Sequence, residues 1–249
     1  MVKLLHGDCL AMLQEVEPGS VDLILCDPPY SSGGTHAGDR KASTTAKYTD
    51  NDFNGAAKLP AFSGDNMDQR SFTAFMRWVC AELRQKTREG GILEMFVDWR
   101  NLPAMTDAVQ MAGWVWRGVV VWDKGISRNQ PGRFRNDCEY VVWCSNGDLP
   151  IDWKAAKGSK AMPGVYHVPM VNPKQRFHQT EKPVELLEQL LAICPSSGTV
   201  LDAFMGSGST GVAAVKTGRS FIGMELSDQY FQIAEKRIQE AEDELLNDF

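Results

Sequence analysis

The sequence predicts an α/β protein with a doubly wound, mainly parallel sheet. Short apolar segments with the composition of strands alternate with amphipathic segments of helical period, and this alternation is typical of βαβ units. A glycine-rich turn joins one late strand to the next helix, as in folds that bind nucleotides. The chain has 249 residues and 43% apolar residues, which suffices for a substantial core. We therefore expect a single domain over residues 1–249.

The first half of the chain predicts three strands, at 3–5, 21–26 and 92–97, and three helices, at 9–16, 71–89 and 102–113. The strand at 21–26 is followed by Asp27, Pro28 and Pro29. Proline lacks a backbone donor and keeps the preceding residue extended, so the chain should leave the sheet there. The helix at 71–89 is expected to stop at a glycine pair, residues 90 and 91. Residues 31–70 lack apolar periodicity over most of their length, which predicts a mobile loop insertion.

The second half predicts a hairpin, two helices that alternate with two strands, and a C-terminal helix. Strands at 116–124 and 138–145 are joined by a polar, basic loop and form the hairpin. Residues 146–179 contain four prolines and several lysines, and we expect them to be irregular. Helices are predicted at 182–194, 208–218 and 228–246, and strands at 198–204 and 219–226. We find no internal repeat.

Charge and cysteine content restrict the class of protein. The net charge is −6, but residues 100–182 carry twelve Lys or Arg and seven Asp or Glu, net +5, so the rest of the chain carries −11. A basic region on an acidic protein is compatible with DNA or RNA binding, because the local field acts on the phosphates. We find no membrane-length apolar run or signal sequence, which predicts a cytoplasmic protein. Six cysteines without metal-ligand spacing predict reduced, mostly buried thiols and no metal.

The glycine-rich turn indicates a ligand site. Gly206, Gly208 and Gly211 follow a strand and precede a helix, and Glu225 ends the next strand, where a carboxylate can accept from ribose hydroxyls. Only thirty-eight residues follow Gly211, too few for the rest of a nicotinamide-binding fold. Asp202, directly before the turn, suits a ligand with a positive amino group, such as S-adenosylmethionine. Glycine is also common at such turns for packing alone, so the ligand is a hypothesis.

Three motifs in a fixed order resemble one enzyme family. With DPPY at 27–30, HQTEKPVELLEQLL at 178–191 and DAFMGSGSTG at 202–211, the chain resembles the β-class amino-DNA methyltransferases. The resemblance covers nearly the whole chain apart from residues 31–70 and 146–176. It implies a Rossmann-like methyltransferase fold with a circularly permuted motif order, in which six strands of seven are parallel. A short DNA-recognition region would then occupy residues 146–176.

The resemblance also implies S-adenosylmethionine as cofactor, with no metal. Asp8 would contact the adenine ring of the cofactor, Asp202 its amino group and Glu225 its ribose. Thr180 and Lys182 belong to the motif whose helix start faces the methionine carboxylate, although Lys182 could also be an ordinary solvated lysine. The full set of implied cofactor residues is Asp8, Cys9, Asp27, Thr180, Lys182, Asp202, Phe204, Gly206, Ser207, Gly208, Ser209, Glu225 and Leu226.

The DPPY motif implies the chemistry. An exocyclic amino group is a poor nucleophile, since its lone pair is delocalised into the ring. If Asp27 and the Pro28 carbonyl each accept one amino hydrogen, the nitrogen moves toward tetrahedral geometry, and the stiffness of Pro28 and Pro29 fixes both acceptors. Tyr30 would stack on a base flipped out of the duplex. Asp at the first motif position favours adenine; the cytosine amino group, RNA, a protein amide and a non-catalytic regulator stay as alternatives.

Residues for DNA binding are predicted from charge alone. The basic hairpin loop and the lysines after it supply candidates for phosphate contacts, and Asn129 and Gln130 are candidates for base contacts. Because the recognition region is short, we expect relaxed or short sequence specificity, with residues 31–66 contributing. Double-stranded DNA is the expected partner. A homodimer, a restriction partner and an association with a phage or other mobile element are left open. The candidate DNA contacts are Arg128, Asn129, Gln130, Arg133, Arg135, Lys154, Lys157 and Lys160.

Overall fold

A mixed sheet runs through the centre of the computed structural model, which describes residues 1–30, 67–125, 131–132, 134–150, 161–172, 176–178 and 180–247. Within these residues the sheet has eight strands in the order β1-β8-β7-β2-β3-β5-β4-β6. All neighbouring pairs are parallel except those of β5, which is antiparallel to β3 and β4. The predicted mainly parallel sheet with a late antiparallel hairpin is therefore confirmed. The strands are β1 (Val2–His6), β2 (Val21–Cys26), β3 (Thr87–Val97), β4 (Val115–Asp123), β5 (Cys138–Ser145), β6 (Val165–His167), β7 (Thr199–Asp202) and β8 (Ser220–Glu225).

Helices cover both faces of the sheet. They are α1 (Cys9–Met12), which continues into a short 3₁₀ turn (Leu13–Glu15), α2 (Gln69–Lys86), α3 (Leu102–Met111), α4 (Val184–Leu191), α5 (Ser209–Lys216) and α6 (Asp228–Asn247). Two apolar clusters fill the space between the layers. One includes residues of α2 and α3, and the other includes residues of α4, α5 and α6. In the described part of the chain, no helix is both long and apolar enough to cross a membrane. All six cysteines are free thiols and only Cys138 is not buried, as predicted.

Strand β6 was missed from the sequence and lies in the segment that was predicted to be irregular. Its three residues pair in parallel with the end of β4, with Val121 opposite Val165 and Trp122 opposite Tyr166. Tyr166 is buried, and the indole Nε1 of Trp122 donates to the Val168 carbonyl at 2.7 Å. The segment is too short to show strand periodicity, and its pairing depends on the edge that β4 offers. The sheet therefore has one strand more than the seven that the family resemblance implied.

The glycine pair at 90 and 91 does not stop helix α2. The helix ends at Lys86, and β3 begins at Thr87 and runs through both glycines. The register of β3 against β2 shifts between Val21 and Leu23, which marks a bulge. A Cβ at Gly91 would lie 2.5 Å from the Thr87 Cγ2 atom, so this position requires glycine. The helix prediction was thus three residues too long, because glycine serves the strand there.

The topology brings four predicted segments to one edge of the sheet. Strands β1, β8, β7 and β2 are neighbours and parallel, so their carboxyl ends meet. Asp8 follows β1, Asp27 follows β2, Asp202 ends β7 and Glu225 ends β8. In open α/β sheets this edge is where ligands bind.

Candidate active site

A cavity of about 540 Å³ lies at the carboxyl edge of the sheet. All of the predicted catalytic and cofactor residues line it except Gly208. Gly208 precedes α5 with φ of +84°, and a Cβ there would lie 2.9 Å from the Ala234 Cβ atom. Its role in the structure is close packing of the loop on α6. The structure thus brings together residues that lie up to 218 positions apart, from Asp8 to Leu226.

Glu225 holds the glycine-rich loop in place. Its Oε2 atom accepts a hydrogen bond from the Gly206 backbone at 3.0 Å, and its Oε1 atom accepts one from the Ser227 backbone at 2.8 Å. Gly206 has φ of +52°, a conformation that favours glycine. Burial raises the pKa of Glu225, although the backbone donors oppose this shift. A carboxylate fixed in this way still has acceptor capacity toward the cavity.

Asp202 is a buried carboxyl group at the base of the cavity. Its Oδ1 atom accepts from the Phe204 backbone at 2.9 Å. Burial raises its pKa to about 7, and the nearby Asp27 charge acts in the same direction. Close to neutral pH this group is therefore about half ionised, and a cationic ligand group beside it would favour the ionised form.

Asp8 caps the first helix as well as lining the cavity. Its Oδ1 atom accepts from the Leu10 backbone at 3.0 Å and from the Ala11 backbone at 3.4 Å. Cys9 is buried beside it, and burial raises the pKa of this thiol to about 12, so the thiol is protonated at neutral pH. The helix cap fixes Asp8 at the end of β1, where the cavity begins.

Arg237 of α6 connects the glycine-rich loop to the segment before α4. Its guanidinium donates to the Ser207 carbonyl at 2.7 Å and to Glu181 Oε1 at 2.7 Å. Glu181 also accepts from the Phe177 backbone at 2.7 Å and is buried. The sequence did not single out this pair, because an Arg and a Glu separated by 56 positions give no local pattern.

His178 also lines the cavity and is uncharged at neutral pH. Burial and the Lys182 charge lower its pKa to about 4. Its Nδ1 atom accepts from the Thr180 backbone at 3.2 Å, and its ring lies 4.4 Å from the Tyr230 ring. Thr180 is held beside the cavity by this contact.

A network of charged side chains surrounds Asp27 in the wall of the cavity. Lys182 Nζ lies 2.5 Å from Asp27 Oδ2 and 3.3 Å from Glu139 Oε2. Tyr30 donates its hydroxyl hydrogen to Glu139 Oε2 at 3.2 Å, and Lys124 Nζ lies 3.2 Å from Glu139 Oε1. Asp27 Oδ1 is buried and has no hydrogen-bond partner among the described residues. One oxygen of Asp27 is therefore anchored, and the other is available as an acceptor.

The ionisation of this network follows from its pairing. Burial raises the pKa of Asp27, Lys182 opposes that shift, and the Glu139 charge adds to it. Burial alone would lower the pKa of Lys182, but its two carboxylate partners outweigh burial and raise it. For Glu139, burial is outweighed by Lys182 and Lys124, so its pKa is lowered. Lys182 and Glu139 are both charged at neutral pH.

The backbone of the DPPY motif is fixed from a neighbouring strand end. Asn101 Nδ2 donates to the Tyr30 carbonyl at 2.7 Å, and the Asn101 backbone donates to Asp98 Oδ1 at 3.1 Å. Tyr30 is 8% exposed, so its ring lies in the cavity wall rather than in solvent. Neither Asn101 nor Glu139 was selected from the sequence.

Most of the predicted DNA contacts lie outside the described residues. This holds for Arg128, Asn129, Gln130, Arg133, Lys154, Lys157 and Lys160, and for the predicted loop at 31–66. Arg135 is described; its side chain is half exposed, and its Nε atom lies 3.0 Å from Asp137 Oδ2. The DNA contacts therefore stay predictions from the sequence.

Comparisons with known proteins agree on one family. Residues 21–236 match the family model described as DNA methylase, of the N6/N4 type. The type II methyltransferase M2.LlaDCHI of Lactococcus lactis subsp. cremoris is 27% identical over 251 residues, covering 94% of this chain and 88% of that protein.

Solved structures share the fold. The structure of the M1.HpyAVI complex with S-adenosylmethionine has a TM-score of 0.68 at 23% identity, covering 96% of this chain and 99% of that one. The cytosine-N4-specific PvuII DNA methyltransferase has a TM-score of 0.69 at 15% identity, covering 99% of this chain and 93% of that one. At these identities the likeness concerns the fold alone.

Proposed function

We propose that this chain, which belongs to the DNA methylase family, transfers a methyl group from S-adenosylmethionine to the exocyclic 6-amino group of adenine in DNA. The observation that carries the proposal is the pair of oxygens on Asp27: Lys182 anchors Oδ2, while the buried Oδ1 has no hydrogen-bond partner among the described residues. Such an oxygen suits a hydrogen from a substrate amino group. We further assign the chain to the β class, on the order of its DPPY and glycine-rich motifs.

The residues of the cavity fit S-adenosylmethionine. A volume of about 540 Å³ lies within the usual range for small-molecule sites, about 300–1,000 Å³. Asp202 would offer a buried carboxylate to the cofactor ammonium group, Glu225 would offer an acceptor to the ribose, and Phe204 would belong to the loop that holds the cofactor. Asp8 and Cys9 complete the adenine end. The cofactor would supply a methyl group on a positively charged sulfur, and S-adenosylhomocysteine, a neutral thioether, would be the second product.

Asp27 prepares the amino group of the base. By accepting one amino hydrogen at Oδ1, it withdraws the nitrogen lone pair from conjugation with the ring. The Pro28 carbonyl accepts the second hydrogen, and the two prolines limit the movement of both acceptors. After transfer, the nitrogen carries a positive charge and loses one proton, and Asp27 is placed to accept it because burial already raises its pKa. Positioning is therefore the main catalytic contribution.

Tyr30 supplies the surface on which the flipped base stacks. The amino group is inside the duplex, so the target nucleotide must leave the stack to reach Asp27. The Tyr30 hydroxyl donates to Glu139, which fixes the ring in the cavity wall. Because the Tyr30 side chain is already held in place, less of its conformational entropy is lost when the flipped base binds.

Adenine is proposed over cytosine because Asp stands at the first position of the motif. The alternative is transfer to the cytosine 4-amino group, and the likeness to the PvuII cytosine-N4 enzyme in fold is the observation that keeps it open. The amino groups of RNA bases and of protein amides also have a delocalised nitrogen lone pair, and they are tested as substrates in the same experiment.

The test offers S-adenosylmethionine with a labelled methyl group to DNA, RNA and protein, followed by digestion of the DNA to nucleosides. We expect label in N6-methyladenine. Asp27→Asn should abolish transfer, because the amide is a weaker acceptor and its NH₂ repels the amino hydrogens. Asp107→Asn, at an exposed position on α3, is the matched control and should be fully active. Label in N4-methylcytosine, in RNA or in protein, or activity that survives Asp27→Asn, would contradict the proposal.

A further inference from the structure

We propose that Lys182 and Glu139 are positioning residues of the base site, which is formed by Asp27 and Tyr30. They hold these two side chains in one geometry, and Lys182 serves the base site rather than the cofactor carboxylate. The inference rests on the proposed function, since it concerns how the base is presented. It differs from the expectation drawn from the sequence, in which Lys182 belonged to the cofactor site.

The ammonium group of Lys182 lies against the oxygens of the base site. A lysine has three N–H donors. Three oxygens lie within reach of Nζ: Asp27 Oδ2 at 2.5 Å, Glu139 Oε2 at 3.3 Å and the Tyr30 hydroxyl at 3.4 Å. The side chain is 6% exposed, and its Nζ atom lies 5.0 Å from the centre of the Phe96 ring. The ammonium is enclosed by the base site.

Glu139 is the common partner of the other groups. Its Oε2 atom accepts a hydrogen bond from the Tyr30 hydroxyl and is ion-paired with Lys182, and its Oε1 atom accepts a hydrogen bond from Lys124. Glu139 therefore connects the residue proposed to stack on the base with the lysine that anchors Asp27. Loss of Glu139 would remove one partner from each of these two side chains.

The charges of the network balance, which explains why a lysine is tolerated beside the catalytic carboxylate. Lys182 alone would neutralise Asp27 and weaken it as an acceptor for a nitrogen that becomes positive during transfer. Glu139 and Lys124 add one charge of each sign, so two cations face two carboxylates. Lys182 then interacts with two carboxylates, so its positive charge does not fully compensate the negative charge of Asp27.

The antiparallel orientation of β5 places Glu139 at the site. Because β5 runs opposite to its neighbours, its first residues lie at the carboxyl edge of the sheet. Glu139 is the second residue of β5, and Asp27 follows the last residue of β2. Lys182 comes from the segment before α4. Three separate elements thus meet around Asp27: Lys182 pairs with its Oδ2 atom, Glu139 pairs with Lys182, and the buried Oδ1 atom has no hydrogen-bond partner among the described residues.

The experiment compares wild-type protein, Glu139→Gln, Glu139→Asp and Lys182→Met in two measurements. The first is the single-turnover rate of DNA methylation with both substrates saturating. The second is the affinity for S-adenosylmethionine without DNA, by calorimetry, which needs no turnover. Glu139→Gln keeps an acceptor for Tyr30 and removes the charge. Glu235→Gln, at an exposed position of α6, is the matched control and should behave as wild type.

We expect Glu139→Gln and Lys182→Met to lower the single-turnover rate about a hundredfold, the size typical of a misplaced reacting group, with cofactor affinity changed less than about threefold. Glu139→Asp should recover part of the rate, because it restores the charge. Glu139→Gln should also shift the acid limb of the rate profile to lower pH, since the Glu139 charge raises the pKa of Asp27. If Glu139 had only a structural role, the acid limb of the Glu139→Gln rate profile would lie at the same pH as that of the wild type.

Two results would overturn the inference. One is a Lys182→Met protein that loses more than tenfold in cofactor affinity and keeps its saturated rate, which would place Lys182 on the cofactor carboxylate. The other is a Glu139→Gln protein with an unchanged rate and an unchanged acid limb. If Lys182→Met does not fold, Lys182→Arg replaces it, and its planar fork should also misplace Asp27. Wild-type protein that methylates no DNA would instead refute the proposed function.

Discussion

Cofactor binding should be coupled to the ionisation of Asp202. Burial raises the pKa of this carboxyl group to about 7, whereas an ammonium group beside it requires the carboxylate. In the proposed complex, Asp202 is therefore fully ionised, and binding near neutral pH must release the proton from those molecules in which Asp202 is protonated. Asp202→Asn removes both the charge and the titration, and it changes the shape of the side chain very little.

The expected size of the effect follows from linkage. With a pKa of about 7, Asp202 is half protonated at pH 7, so binding there releases about half a proton per site. The dissociation constant should rise as pH falls, about fivefold from pH 7 to pH 6 and about fiftyfold from pH 7 to pH 5. The cofactor amino group stays protonated in this range, since α-amino groups titrate near about 8. Asp202→Asn should bind more weakly at pH 7 and show a much flatter profile.

Calorimetry in two buffers of different ionisation enthalpy measures both quantities. The difference in apparent binding enthalpy gives the number of protons released, and the fitted affinities give the pH profile. The exposed Asp107→Asn variant is the control and should match the wild type at each pH. A wild-type affinity that is constant from pH 5 to pH 7, or a profile that Asp202→Asn leaves unchanged, would refute the reasoning.

The remaining predictions concern stability and DNA binding. Burial raises the pKa of Glu94 to about 8 from an ordinary 4.5, so its ionisation costs stability as pH rises through this interval. In urea unfolding, Glu94→Gln should match the wild type near pH 5 and exceed it by about 3–5 kcal/mol near pH 9; parallel pH profiles for the two proteins would contradict this. Arg237→Ala leaves Glu181 buried without its cation and should lower the free energy of unfolding by about 3 kcal/mol, with weaker cofactor binding, whereas an unchanged midpoint would show that the pair contributes little. DNA affinity should fall steeply with salt, and the slope should flatten by about 2 when Arg133 and Arg135 are both replaced by alanine; an unchanged slope would exclude these residues as phosphate contacts. Mapping of methylated positions on plasmid DNA should show relaxed or short recognition, and one long motif modified to completion would contradict it.

The elements were predictable because their signals are local. The apolar run at 21–26, the helical spacing at 102–113 and the glycine turn after β7 each specify structure over a few residues. The errors arose where a local signal has two meanings. Glycine at 90 and 91 resembles a helix stop but forms a strand bulge, and the three residues of β6 are strand only because β4 offers them an edge.

The candidate site was predictable only in part, for the same reason. Asp27 and Tyr30 follow a strand, and Asp202 and Glu225 are the last residues of two others. The carboxyl ends of these strands meet, so the strand pattern already placed the four residues at one edge of the sheet. Glu139 is the second residue of β5, and nothing in the sequence around it distinguishes it from a solvated glutamate. Its importance depends on β5 running antiparallel.

The sequence by itself determined the α/β alternation, the position of the carboxylates at strand ends and the resemblance to the methyltransferases. These properties depend on residue type and spacing along the chain. Only the tertiary structure decided the partners of the charged side chains. Lys182 and Asp27 are 155 positions apart. The sequence around a lysine does not show whether it is buried between two carboxylates or exposed to solvent. Burial and pairing set its charge and its role, and both come from elements that meet only when the chain has folded.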